Sequence, residues 1–169
     1  LERLAGPRIL AGLDLSPRLL DKARSRCPEG AVLLAGRAEQ MPLRSGEWDK
    51  VLCTDVIEHL LRPEACLREI RRVAADGAVI VVTTTNEGFV NRIKAVIWRL
   101  GLHRLIFAKK GYQADQRMDE QWHLQAFDPK SFRGLLEQHF HVESLQPVPS
   151  RLFPIQLVAC CRHVEKSEI

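Results

Sequence analysis

No apolar run in this chain reaches the ~18 residues that a membrane-crossing helix needs, so no span is expected. The five cysteines (Cys27, Cys53, Cys66, Cys160 and Cys161) are odd in number and contain no C-x-x-C. Three of them fall in stretches that read as buried strand or helix, which argues against a disulfide framework and for a reduced, cytoplasmic compartment. Internal repeats and low-complexity tracts are absent, and nothing in the composition suggests disorder. The opening residues show no charged stretch leading into an apolar one, and a start on Leu1 rather than Met reads as a trimmed chain or a fragment.

What is present is ordinary in bulk and uneven in detail. With 169 residues, 46% hydrophobic and 27% charged, the chain is expected to form a single domain spanning 1–169 with a sizeable core. Its formal charge is +4, from 25 basic and 21 acidic residues. Much of the excess is gathered between Asn91 and Tyr112, where Arg92, Lys94, Arg99, Arg104, Lys109 and Lys110 occur without an acid. That stretch breaks the pattern around it and reads as a basic, lid-like insertion at about 87–122.

Elsewhere, apolar runs alternate with helical periodicity, the mark of β-α-β units and a parallel sheet. Strands are expected at Arg8 to Leu13, Ala31 to Ala35, Asp49 to Thr54 (with Val51, Leu52 and Cys53 buried) and Ala78 to Thr84. Ser16 and Pro17 open a helix running to about Arg26, a cap followed by a proline whose missing N–H costs nothing there. Met41 to Glu47 reads as a polar turn. Pro63 to Val73 is amphipathic, with Ala65, Cys66, Ile70 and Val73 inward and Arg68, Glu69, Arg71 and Arg72 at the rim. Asp76-Gly77 turns into the Ala78 strand, and Asp128-Pro129 starts a last helix through Phe132, Leu135 and Leu136. His141 to Leu145 and Ile155 to Cys161 then form an antiparallel pair. The fold class is therefore α/β.

Gly12-Leu13-Asp14-Leu15-Ser16-Pro17 places a carboxylate at the end of the first strand, just before a helix cap. Nucleotide-binding sheets present an acid to ribose in this way, about 20 residues after a glycine-rich loop. Here only Leu1 to Ala11 precede the motif, so the chain is expected to begin inside its own cofactor site. The other reading of Asp14 is a carboxylate favoured by the dipole of the helix that starts at Ser16.

The order of motifs closely resembles the S-adenosylmethionine-dependent methyltransferases with a Rossmann-like fold, in the small-molecule branch that includes ubiquinone-biosynthesis O-methyltransferases. The residues that carry the likeness are Leu13 to Pro17, Gly36-Arg37-Ala38-Glu39-Gln40-Met41-Pro42, Trp48-Asp49-Lys50-Val51, Val56-Ile57-Glu58-His59-Leu60, and Leu67 to Val73 with the Gly77 turn. The resemblance spans roughly Arg8 to Cys161. It implies a mostly parallel sheet with a C-terminal antiparallel strand pair, S-adenosylmethionine as cofactor, and methyl transfer to a small-molecule oxygen or nitrogen acceptor. A non-catalytic binding or scaffold domain, or an inactive fragment, is the alternative.

The resemblance also suggests site residues. Asp14 would take the ribose hydroxyls, each charge-assisted bond being worth roughly 1.5 to 3 kcal/mol. Leu15, Ala38, Glu39, Met41 and Thr54 would complete the cofactor site, with Met41 and Leu43 against the base. The family places an acid where Arg37 stands, and a guanidinium cannot accept a hydrogen bond from the adenine amino group. Asp55, Glu58 and His59 are spaced i, i+3 and i+4, so a helical turn would set them on one face. They read as a general base at His59, as a carboxylate-imidazole cluster for a hard cation, or as a structural pair; no metal is assigned. His123, between Trp122 and Phe127, resembles a family stretch that faces the acceptor. The basic insertion reads as a lid over the pocket or as a membrane-surface helix through 91–112 collecting a lipid-like acceptor. No nucleic-acid motif accompanies its charge.

The same family sheet has a central strand and glycine loop between the Asp14 and Asp49 strands. Unpaired buried backbone groups cost ~1 to 3 kcal/mol each, which a marginally stable domain cannot absorb in number. Three outcomes are expected: an N-terminally truncated piece of a longer protein, a sheet closed up in altered order, or Leu1 to Leu10 refolded into the gap.

Overall fold

A computed structural model describes residues 9–101 and 124–164. Strand β1 (Ala11–Asp14) leads through helix α1 (Pro17–Arg24) to β2 (Val32–Ala35), and the two strands pair in parallel from Ala11 opposite Val32 to Asp14 opposite Ala35. A Cβ at Gly12 would sit 2.9 Å from Leu33 Cδ2, so a larger residue there would require the leucine side chain to shift. Strand β3 (Trp48–Thr54), a single 3₁₀ turn (Ile57–His59), helix α2 (Pro63–Val73) and strand β4 (Ala74–Thr85) follow. Helix α3 (Glu87–Arg99) leaves the end of β4, capped by the Asn86 side chain, which accepts from Phe89 N–H. Helix α4 (Pro129–Glu137) and the antiparallel strands β5 (His141–Pro149) and β6 (Pro154–Arg162) complete the described chain.

The expected α/β class is observed, with one departure. Among the described residues the strands form two sheets, β1-β2 and β3-β4-β6-β5. The sheet has not closed up in a new order, since β1 and β3 remain unpaired with each other. Residues 1–8, offered above as a filler, lie outside the described residues.

The larger sheet is built around β4, which pairs in parallel with β3 and antiparallel with β6. Its inward side chains Ile80 and Val82 meet Ile57, Cys66, Leu67 and Ile70 from α2 and the 3₁₀ turn, and Phe132 and Leu136 from α4, in one core. The apolar periodicity of Pro63 to Val73 is why α2 forms and which face it buries; Cys66, Leu67 and Ile70 are wholly inaccessible. All five cysteines are free thiols. Burial pushes the Cys161 thiol up to about 12, so it stays protonated and inert.

Several expectations need correction. Helix α1 ends at Arg24 rather than Arg26, and the first strand begins at Ala11, with Ile9 and Leu10 exposed before it. The Asp76-Gly77 turn lies inside β4: Trp48 pairs with Ala74 and Lys50 with Val79, so the intervening residues bulge, with Gly77 at φ 72. Leu52 is 69% exposed although it sits in an apolar run. Alternation puts Cys53 toward α2 and Leu52 on the opposite face, and no described element covers that face.

Helix α4 starts at a full capping box. Asp128 Oδ1 accepts from Ser131 N–H at 2.8 Å, and Ser131 Oγ accepts from Asp128 N–H at 3.0 Å. These bonds hold the Asp128 carboxyl below its usual range. Asp128→Ala is expected to lower stability by about 1 kcal/mol in urea unfolding. An unchanged midpoint would show that burial of Phe132 and Leu136 alone fixes the helix.

Candidate functional site

The resemblance assigns a central strand to the gap between the two sheets, and the strand ends bordering its carboxyl side, at Asp14 and Thr54, form the candidate site. All four residues of β1 and the run Lys50 to Thr54 of β3 line a single cavity of about 340 Å³. Both strands therefore turn an edge with no described pairing partner toward the same space. Cys66, Ile70 and Val73 of α2 form an apolar floor, and Ala38, Met41 and Leu43 contribute from the segment after β2. Trp48 also lines it, and its indole N–H is buried without a partner.

Asp14 ends β1 on this wall, half-buried. Its Oδ1 accepts from Ser16 N–H at 2.7 Å, whereas Ser16, the helix-capping residue, makes no side-chain cap bond. The carboxylate thus steadies the start of α1, as the dipole reading anticipated, and it also lies on the cavity wall. One acid is placed for both.

The wall opposite the floor is held by an ion pair whose reach the sequence did not disclose. Glu69 and Arg72, one turn apart on α2, meet through Arg72 Nε to Glu69 Oε1 at 2.7 Å and Arg72 Nη2 to Glu69 Oε2 at 2.8 Å. Both then extend to the loop. Glu69 Oε2 accepts from Met41 N–H at 2.7 Å, Arg72 Nη2 donates to Met41 O at 2.9 Å, and Arg72 Nη1 donates to Leu43 O at 2.8 Å. Residues read as a solvated helix rim instead fasten the cavity lining. The available clue was an acid and an arginine spaced i, i+3 on a helix beside a polar turn rich in unpaired backbone groups.

Asp55, Glu58 and His59 do not share a face, contrary to the helical expectation. Asp55 has φ 50, in the left-handed region, and precedes the 3₁₀ turn. Three contacts hold it there: its carboxylate accepts from Gln156 Nε2 at 2.8 and 2.9 Å and from Thr83 Oγ1 at 3.0 Å. Glu58 points inward and is 1% exposed. Its Oε1 accepts from Thr85 N–H at 3.2 Å, its Oε2 is buried without a partner, and its carbonyl accepts from Leu124 and Gln125 N–H. His59 is exposed. The three side chains diverge because the strained backbone at Asp55 breaks the periodicity that would have aligned them.

Of the residues expected at the cofactor, Asp14, Ala38, Met41 and Thr54 line the cavity, while Leu15, 69% exposed, and Glu39 do not. Glu39 faces Arg37 at 3.4 Å, and the Arg37 side chain is 66% exposed. Asp55 and His59 also stand off the lining. His123 lies outside the described residues, as do Trp122 and 102–112 of the basic segment. In the floor, Cys53 and Cys66 hydrogen-bond to each other; that bond and burial hold the Cys53 thiol well above its ordinary range.

These groups suit a ligand with a diol and a flat apolar ring. Asp14 supplies an acceptor, and Ala38, Met41 and Leu43 supply an apolar wall beside it.

Comparison with known proteins agrees. The family described as "Methyltransferase domain" matches residues 1–82. The ubiquinone biosynthesis O-methyltransferase of Methylococcus capsulatus is 29% identical over 102 residues, which is 56% of this chain and 42% of that protein. A methyltransferase from Haloferax volcanii, solved with the activator Trm112, has a TM-score of 0.71 at 14% identity, covering 94% of this chain and 73% of the other. An S-adenosylmethionine-dependent methyltransferase from Thermotoga maritima has a TM-score of 0.65 at 19% identity over 91% and 72% of the two chains. The match spans less than half the length of the curated relative. These matches support an S-adenosylmethionine-dependent methyltransferase, and the solved structures show that the chain shares their fold.

The Glu69–Arg72 pair makes a pH prediction. The Arg72 hydrogen bonds, helped by Met41 N–H, lower the Glu69 carboxyl from its usual 4.5. A lowered folded value means that the stability it adds is complete at neutral pH and is lost as pH falls from 4.5 through that value. Glu69→Gln is therefore expected to unfold at lower urea than the wild type at neutral pH, with the two midpoints converging in acid below that range. A difference that persists there would assign the effect to packing.

Proposed function

We propose that this chain binds S-adenosylmethionine at the carboxyl ends of β1 and β3, beside Asp14 and Thr54, and serves methyl transfer to a small-molecule oxygen or nitrogen acceptor, in the cytoplasm. The observation that carries the proposal is Asp14 on the cavity wall at the carboxyl end of β1, where open α/β sheets bind their ligands. When bound, the cofactor supplies a methyl group already activated on a positive sulfur.

The chain's own residues then have limited tasks. Asp14 accepts hydrogen bonds from the ribose hydroxyls, with Ser16 N–H fixing the position of its carboxylate. Met41, Leu43 and Ala38 pack against the base, on a loop kept in place by Glu69 and Arg72. Arg37 cannot accept from the adenine amino group, so recognition there falls to the main chain around Ala38. Thr54 lies on the cavity wall near the turn that leads toward the acceptor side. Alignment of nucleophile and methyl provides most of the acceleration in such a reaction. His59 and His123 are the candidate bases where the acceptor arrives protonated. The acceptor is small and, from the basic apolar segment that follows Asn86, lipid-like.

Calorimetry with S-adenosylmethionine tests the cofactor site. Wild-type protein is expected to bind, and Asp14→Ala to bind at least roughly 10- to 100-fold more weakly, the loss of one charge-assisted bond of ~1.5 to 3 kcal/mol. No heat at millimolar cofactor would leave a non-catalytic binding domain as the reading of the chain. Equal affinity in the variant would return Asp14 to the sole task of steadying α1.

A further inference from the structure

The acceptor-side end of the sheet carries a surface that the cofactor site does not use. Antiparallel pairing sets Thr85, at the end of β4, opposite Gln156, so the tip of the β5–β6 hairpin lies at the same end from which α3 departs. Asn86 N–H donates to Ile155 O and ties the two together. At the tip, Leu152 is 82% and Phe153 60% exposed, with Ile155 beside them at 47%. Val96 on α3 and Leu100 at its C-cap are 55% and 64% exposed.

The charge on these elements has one sign where it is exposed. Arg92 and Arg99 on α3 and Arg151 at the tip are exposed, whereas Glu87, the acid of α3, is buried. Two backbone donors of the tip are met within it. Phe153 N–H donates to Ser150 Oγ at 3.2 Å, and Ile155 N–H to Phe153 O at 2.9 Å. A turn that satisfies its own donors can carry two large apolar side chains out of water without stranding polar backbone groups. Exposed apolar anchors on elements that also carry exposed arginines complement an anionic lipid surface, where cations add attraction and apolar groups enter the interface.

We propose that the Leu152-Phe153 hairpin tip, together with the exposed apolar face of α3, docks this protein onto an anionic phospholipid bilayer. The cofactor site then lies just above the membrane surface. A lipid-like acceptor would reach it from this side, and that last step alone rests on the function proposed above.

Co-sedimentation with phosphatidylglycerol–phosphatidylcholine vesicles, against pure phosphatidylcholine vesicles, tests the surface. Wild-type protein is expected to pellet with the anionic vesicles at least tenfold more than with the neutral ones. Leu152→Ser combined with Phe153→Ser is expected to cut that binding at least tenfold. Arg99→Gln with Arg151→Gln is expected to reduce binding and weaken its dependence on salt. The double tip variant alters only exposed residues, and an unchanged urea midpoint checks its fold without reference to the cofactor. Wild-type protein that stays in the supernatant, or a tip variant that pellets as well as the wild type, overturns the proposal. So does gel filtration showing that the tip variant converts a wild-type dimer to a monomer, which would give the surface to a second copy of the chain. Failure of cofactor binding in calorimetry would leave the vesicle result standing.

Discussion

The two-sided pairing of β4 is the constraint on which the other elements depend. Its parallel ladder with β3 brings Thr83 under Asp55, and its antiparallel ladder with β6 brings Gln156 to the same carboxylate. The left-handed turn at Asp55 is therefore set by three strands at once. From that turn follow the inward course of Glu58 and the anchoring of Leu124 and Gln125 on its carbonyl. Backbone hydrogen bonding within one sheet thus settles where the chain re-emerges beside the site.

The opposite wall obeys a different logic. The loop from Met41 to Ser45 has no ladder to join, and its polar backbone groups are met by Glu69 and Arg72. A charged pair on a helix surface is ordinarily worth little. This one also bonds the main chain of a separate segment, so its importance lies in position: it determines where Met41 and Leu43 stand relative to Asp14.

Much of this was legible in the sequence because it depends on local pattern. The α2 periodicity, the Asp128 cap and the alternation of the last two strands each arise from neighbours within a few residues, and the structure follows them closely. Asp14 was legible for the same reason, as an acid between an apolar run and a proline-led helix. The departures came from long-range contacts. Leu52 looked buried because an apolar run says nothing about whether an element covers each face. The Asp55 triad looked aligned because spacing is blind to a positive φ imposed by Thr83 and Gln156, the latter 101 residues away. Glu69 and Arg72 looked like a solvated rim because the loop they grasp lies 28 to 31 residues away.

The separation of the β1-β2 pair from the larger sheet has a consequence for cooperativity. Two short strands and one eight-residue helix bury too little to be stable by themselves. Lacking a ladder to β3 among the described residues, this unit shares in the core's free energy only through side-chain contacts and the Met41–Leu43 tether. Any group that bridges the two strand edges, whether backbone or ligand, couples this unit to the larger sheet. Because Asp14 belongs to this unit and Thr54 to the larger sheet, a molecule bound across the cavity spans the boundary between them. Ligand affinity and the rigidity of the front of the molecule are in that way one thermodynamic quantity, each gained at the expense of conformational entropy.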